Sequence, residues 1–151
     1  MRYVSLILFF LVLPALQFAQ ESLSVSSRLN GKWRPVGSGA LGAFKEEVRL
    51  LFHEVQVQEK SGTFTGTSEQ AEVSFAILYC VGIHEDTYTF RIDYEIFKPL
   101  RDRNYHPGRK NKYLIVRAET NRKGKLRVAA AFVQTPNDPN PDFSRLRKLE
   151  E

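Results

Sequence analysis

The sequence predicts an all-β protein, an antiparallel up-and-down β-barrel of about eight strands, on three observations. Between Thr87 and Phe97, the side chains Tyr88, Phe90, Ile92, Tyr94 and Ile96 alternate with Thr87, Thr89, Arg91, Asp93 and Glu95. Strict period-two alternation buries one face of a strand and leaves the other in water. Residues 112–119 and 125–134 read as the two arms of a hairpin across Asn121-Arg122-Lys123-Gly124, a turn-rich stretch between apolar runs. Gly31-Lys32-Trp33 opens the mature chain. A Gly-x-Trp at the start of a small all-β chain reads as a barrel plug: the glycine admits close backbone packing and the indole fills the narrow end.

Taken in order, residues 1–19 read as a secretory signal. Arg2 is its basic start, Leu6 to Leu13 its apolar run, and Ala15 to Ala19 its small-residue exit, with cleavage before Gln20. The apolar run is short for a membrane span. The reading is therefore a secreted, extracellular protein with no membrane attachment after cleavage, and residues 20–151 form one domain. Lys plus Arg number 22 against 17 Asp plus Glu, a formal charge of +5, which is mildly basic and proves no anionic partner. Cys80 is the one cysteine, so no intrachain disulfide forms. Its place in the apolar run Phe75 to Val81 makes it a buried small hydrophobe.

Residues 43–52 are the ambiguous segment. Phe44, Val48, Leu51, Phe52 and Val55 recur at helical spacing with charged residues between them, which predicts a short amphipathic helix inserted at 43–52. The competing reading is one long strand with a bulge at His53. If the apolar face of this segment points inward, it fills the barrel itself. Residues 53–59 alternate, turn at Lys60-Ser61-Gly62, and return through Thr63 to Thr67. Ala71 to Val81 alternates with Val73, Phe75, Ile77 and Tyr79 inward, then turns apolar on both faces. In the hairpin's second arm Leu126, Val128, Ala130 and Phe132 face inward. The small apolar residues Ala129, Ala131 and Val133 on its outer side call for a covering segment or a subunit contact in a homo-oligomer. Lys98 to Asn111 is a basic loop, read as solvated, with no nucleic-acid partner. Pro136 to Asp142 is a proline-rich loop.

Three islands carry a family resemblance. Leu29-Asn30-Gly31-Lys32-Trp33, Gly62-Thr63-Phe64-Thr65-Gly66-Thr67 and Phe143-Ser144-Arg145-Leu146-Arg147 together resemble the avidin/streptavidin family. The resemblance implies a non-enzymatic small-molecule binder, with biotin as ligand rather than any cofactor. It implies a pocket in which Tyr94 and Phe132 stand where the family has wall tryptophans, Ser68 where it has a tyrosine, and Ser38 as a substitute polar group. The family's ureido-binding asparagines and serine fall on Pro35, Pro141 and Leu51, which offer no equivalent hydrogen bond. The expectation is a divergent avidin-like barrel with weakened biotin affinity. The alternative is an extracellular interaction or scaffold barrel whose pocket is lost or filled, and the third reading is a lipocalin-like carrier of an apolar ligand. An open lumen lined by Tyr94 and Phe132 favours a binder; a filled one favours a scaffold. His53, His84 and His106 are widely separated without ligand spacing, and no carboxylate pair or Ser-His-Asp set stands out, so neither a metal site nor an enzyme is expected.

Overall fold

The computed structural model describes residues 27–39, 41–44, 46–57, 59–68, 71–99 and 111–150. The signal reading (1–19) and nearly all of the basic loop fall outside these residues. Eight antiparallel strands, β1 (Gly31–Val36), β2 (Glu47–Val57), β3 (Lys60–Thr67), β4 (Ala71–His84), β5 (Thr87–Pro99), β6 (Tyr113–Thr120), β7 (Leu126–Val133) and β8 (Ser144–Lys148), pair in sequence order into a closed barrel. The all-β barrel expectation holds. Closure is made by the short β8, which pairs with β1 through Trp33↔Lys148 to Val36↔Arg145 and with β7 through Val128↔Leu146, so residues 144–148 complete the sheet and leave it no free edge. This architecture is consistent with avidin and calycin barrels in general.

The predicted helix over 43–52 is absent. Residues 41–43 form a turn and Glu47 onward is strand β2, while the short helical segment of the described chain lies at 27–29, ahead of β1. The misleading signal is Leu51. Val48, Leu50 and Phe52 alternate into the core with exposures of 0, 0 and 6%, but Leu51 points outward at 46%. One apolar residue on the wet face turns a period of two into an apparent period near 3.6. The competing reading is the better one: β2 is a single strand with a register shift between Phe52 and Val57. The β2–β3 turn accordingly comes earlier than expected, and Lys60 to Gly62 belong to β3.

In β4, Val73, Phe75 and Ile77 face the core as expected, but Tyr79 does not. Register shifts between Ile77 and Tyr79 and between Cys80 and Gly82 reverse the alternation. Tyr79 and Val81 are exposed at 57 and 41%, and Cys80 packs against the core instead. A bulge inserts one extra residue and flips every side chain beyond it. In β5 to β7 the inward sets Tyr88, Phe90, Ile92, then Leu114, Val116, Ala118, then Val128, Ala130 join one buried cluster.

The outer apolar face of the hairpin is met by a covering segment. Ile115, Ala131 and Val133 are at most 3% exposed yet lie outside the central cluster. Residues 134–143 run over this side, with Pro136, Pro141 and Phe143 facing Ile115 across a small groove and the Arg117 guanidinium 4.4 Å from the Phe143 ring centre.

Candidate functional site

The base of the barrel is closed from the N-terminal side. Trp33 is 2% exposed and its indole Nε1–H donates to the Leu29 carbonyl at 2.9 Å, which ties the helical turn under the barrel. The Lys148 Nζ sits 5.7 Å from the indole centre, within cation–π reach. Gly31, at φ 131°, makes the bend between helical turn and strand, a backbone conformation that residues with a Cβ rarely adopt. Beyond the first residue of β1, Gly31, which pairs with Leu50, β2 runs on past the β1–β2 ladder. The Asn30 side chain takes a strand partner's place there: it accepts from the Phe52 N–H at 2.6 Å and donates to the Phe52 carbonyl at 3.2 Å.

The mouth is closed by the connection between β1 and β2. Leu41 and Phe44 are 0 and 2% exposed and belong to the central cluster. The Leu41 N–H donates to Ser144 Oγ at 2.8 Å, and Phe44 N–H to the Leu41 carbonyl at 3.0 Å. The Phe44 ring lies over Gly66, so close that a Cβ there would meet ring carbons at 2.8 Å. The glycine of the Phe-Thr-Gly-Thr island thus makes room for a ring of the chain's own. Ser144→Ala leaves the buried Leu41 N–H without its acceptor. We expect a loss of about 1–3 kcal/mol in urea unfolding, with the m-value unchanged.

Between base and mouth the lumen is occupied by phenylalanines. Phe64 stands 5.9 Å from Phe44, 6.1 Å from Phe75 and 5.0 Å from Phe132, centre to centre, and Phe75 is 5.1 Å from Phe132. Phe52 and Phe90 pair lower down at 5.2 Å. These separations are those of packed aromatic pairs. The candidate pocket residues are dispersed. Phe132 points inward but is spent on Phe64 and Phe75. Ser68 is 7% exposed at the end of β3 and already has a partner. Ser38 is exposed on the bend after β1 and does not face the lumen. The Tyr94 backbone pairs with Phe75, and its side chain lies outside the described residues.

The polar ring of a ureido site is not assembled. Pro35 is buried and apolar, Leu51 faces water, and Pro141 sits on the covering segment outside the barrel. Among the described residues the buried polar side chains are Ser68, Ser74 and Ser144, and all three are engaged within the protein. No group of His, Cys, Asp and Glu able to hold a metal occurs among them, and no described helix is long and apolar enough to cross a membrane.

Cys80 is half-buried, and its thiol donates to the Gly82 carbonyl at 3.4 Å. Burial pushes the thiol's pKa up, partly offset by its hydrogen bonding with the backbone of Gly82 and Thr89. Since the thiolate is the reactive form, alkylation by iodoacetamide at pH 7 is expected to run about tenfold or more slower in the folded protein than in urea.

The concave surfaces lie outside. A groove of about 1220 Å³ crosses β6, β7, β8 and β1 near the base, and one of about 460 Å³ lies beneath the covering segment. Sequence reasoning missed the first because its residues come from four strands that meet only when the barrel closes. Comparison of the chain with protein-family models, curated proteins and solved structures returns no match.

Proposed function

We propose that this is an exported, non-catalytic binding protein whose barrel is a rigid frame with a filled lumen, and which engages its partner from the outside. The fold is compatible with ligand binding in general. What favours the outer surface is the ring cluster Phe44–Phe64–Phe75–Phe132, which occupies the volume where a barrel of this kind would hold a small molecule. Export rests on the sequence of residues 1–19. The non-catalytic reading rests on the scattering of the titratable groups: His53 and His84 stand on β2 and β4, with no nucleophile–base pair between them.

The test is retention of the mature protein on biotin-agarose. We expect it to flow through, and we expect an environment-sensitive apolar dye to give no saturable signal with the native protein. Retention that free biotin releases would overturn this reading in favour of an avidin-type pocket. Saturable dye binding would favour the apolar-carrier reading.

A further inference from the structure

We infer that the groove across β6, β7, β8 and β1 binds a linear polysaccharide bearing carboxylate or sulfate groups. This deepens the outer-surface reading and rests on it. The groove is lined by seven basic side chains, among them Lys32, Arg117, Arg127, Arg145, Arg147 and Lys148, against the carboxylates of Glu119 and Glu150. The balance is +5, equal to the formal charge of the entire chain. The groove therefore gathers as large an excess as the whole chain carries, although the sequence of the basic loop from Lys98 onward is rich in Lys and Arg as well.

The register arranges these charges as a lattice. Arg34 stands opposite Arg147 and Val36 opposite Arg145 on the β1–β8 ladder. Arg145 is opposite Ala129, and Ala129 opposite Arg117. Neighbouring strands are about 4.8 Å apart and same-face residues about 6.8 Å apart along a strand, so the guanidinium groups repeat in two directions. Like charges placed directly opposite destabilise a sheet. Relief is local, from Arg117–Glu119 at 4.0 Å and Lys32–Glu47 at 3.8 Å. Arg145 and Arg147 form no ion pair among the described residues; Arg127 forms none either, although Glu119 stands opposite it on the β6–β7 ladder. An array that costs stability and is only partly neutralised gains from a bound anion.

The surroundings narrow the choice of anion. The closed barrel has no free strand edge, so an acidic peptide cannot add as a strand and must forgo main-chain hydrogen bonds. Trp33 is the one aromatic side chain in the groove lining and is 2% exposed, so bases find no ring to stack on. The surface is concave, which suits a chain and not a flat bilayer. What remains is a linear polyanion carrying a charge at every repeat, read by side chains alone. Arginine forks take carboxylate and sulfate oxygens two at a time.

The experiment uses the full mature chain and titrates heparin and polygalacturonate separately at two salt concentrations. Binding is expected to at least one of them, with the log of affinity falling linearly in log salt. Arg145→Glu with Arg147→Glu should weaken it by about tenfold or more. Arg49→Glu with Lys112→Glu, the same charge change at exposed positions outside the groove, should stay within about twofold. Heparin alone binding assigns sulfate; polygalacturonate alone assigns carboxylate. The Arg147→Glu single variant should melt no lower than the parent, because it converts the Arg34 opposition into an opposite-charge pair. That result also shows that lost binding is not lost folding, and Arg145→Gln with Arg147→Gln provides a milder second pair. No binding to either polysaccharide, equal losses in the two double variants, or tighter binding to a random-sequence DNA duplex would overturn the inference. Biotin competition reports on the lumen independently, so failure of the groove and failure of the outer-surface reading are told apart.

Discussion

Trp33→Ala is expected to cost about 3–5 kcal/mol, the range for truncating a large buried aromatic. The side chain is 2% exposed, and it holds three parts of the base together. Its ring packs within the core cluster, its N–H bonds the Leu29 carbonyl, and its outer surface takes the Lys148 ammonium. Truncation opens a cavity and leaves the Leu29 carbonyl without its donor. The helical turn at 27–29 then has no anchor under the barrel. Domains of this size are stable by roughly 5–15 kcal/mol, so the loss removes a large share and lowers the melting temperature on the order of 10–20 °C. Trp33→Phe should cost less, since the phenyl ring keeps most of the volume and only the hydrogen bond goes. Trp33 is the one tryptophan in the chain, so its blue-shifted emission reports unfolding of the parent directly, and circular dichroism serves for the variants. A midpoint shift under about 1 kcal/mol for the alanine variant would mean that the indole is not what closes the base.

The barrel was legible because strands buried on one face print their geometry as alternation. Where β5 alternates without interruption, Tyr88, Phe90 and Ile92 landed in the core. Where a side chain breaks the rule, the reading failed for the same reason. Leu51 on the outer face imitated a helix. The β4 bulges carried Tyr79 outward, because a register shift depends on the neighbouring strand and leaves no mark on the strand's own pattern. The expectation that residues near Phe44 would fill the barrel if they pointed inward was sound in substance and wrong in secondary structure: Phe44, Val48 and Phe52 all reach the core, from a turn and a strand. The basic groove had no local signature. Its arginines are separated by up to thirty positions, Lys32 comes from β1 at the other end of the chain, and only barrel closure brings them together.

The two halves of the functional reading follow from one asymmetry. Inside, every described buried polar side chain is engaged and the volume is taken up by rings; outside, Arg145 and Arg147 form no ion pair among the described residues. An avidin-type binder has the reverse arrangement, with free polar groups converging inward, and an apolar carrier has an open lumen. The apolar side chains at Pro35, Leu51 and Pro141 and the filling of the lumen by Phe44 therefore go together. Once no buried group needs a ligand to satisfy it, apolar side chains of the chain itself are the better occupants, because they fill the space without leaving a polar atom unpaired.

Phe64→Ala puts that argument to its most direct test. Phe64 is 0% exposed, and three other rings surround it within 6.1 Å. Removing the ring should cost about 3–5 kcal/mol, part from lost transfer energy and part from the cavity that incompletely relaxes. The cavity would be lined by Phe44, Phe75 and Phe132, an apolar wall that stays dry and accepts a small aromatic molecule. Benzene or indole at saturating concentration should then raise the melting temperature of Phe64→Ala by several degrees, on the order of the shift from a ligand at 100 times its dissociation constant. The parent protein should show no shift at the same concentration, since its own ring holds the site. The decisive comparison is between the two proteins. Equal stabilisation of both would place an open pocket in the native lumen and return the barrel to the class of small-molecule carriers. Stabilisation of the variant alone would identify Phe64 as the side chain that occupies the ligand's position.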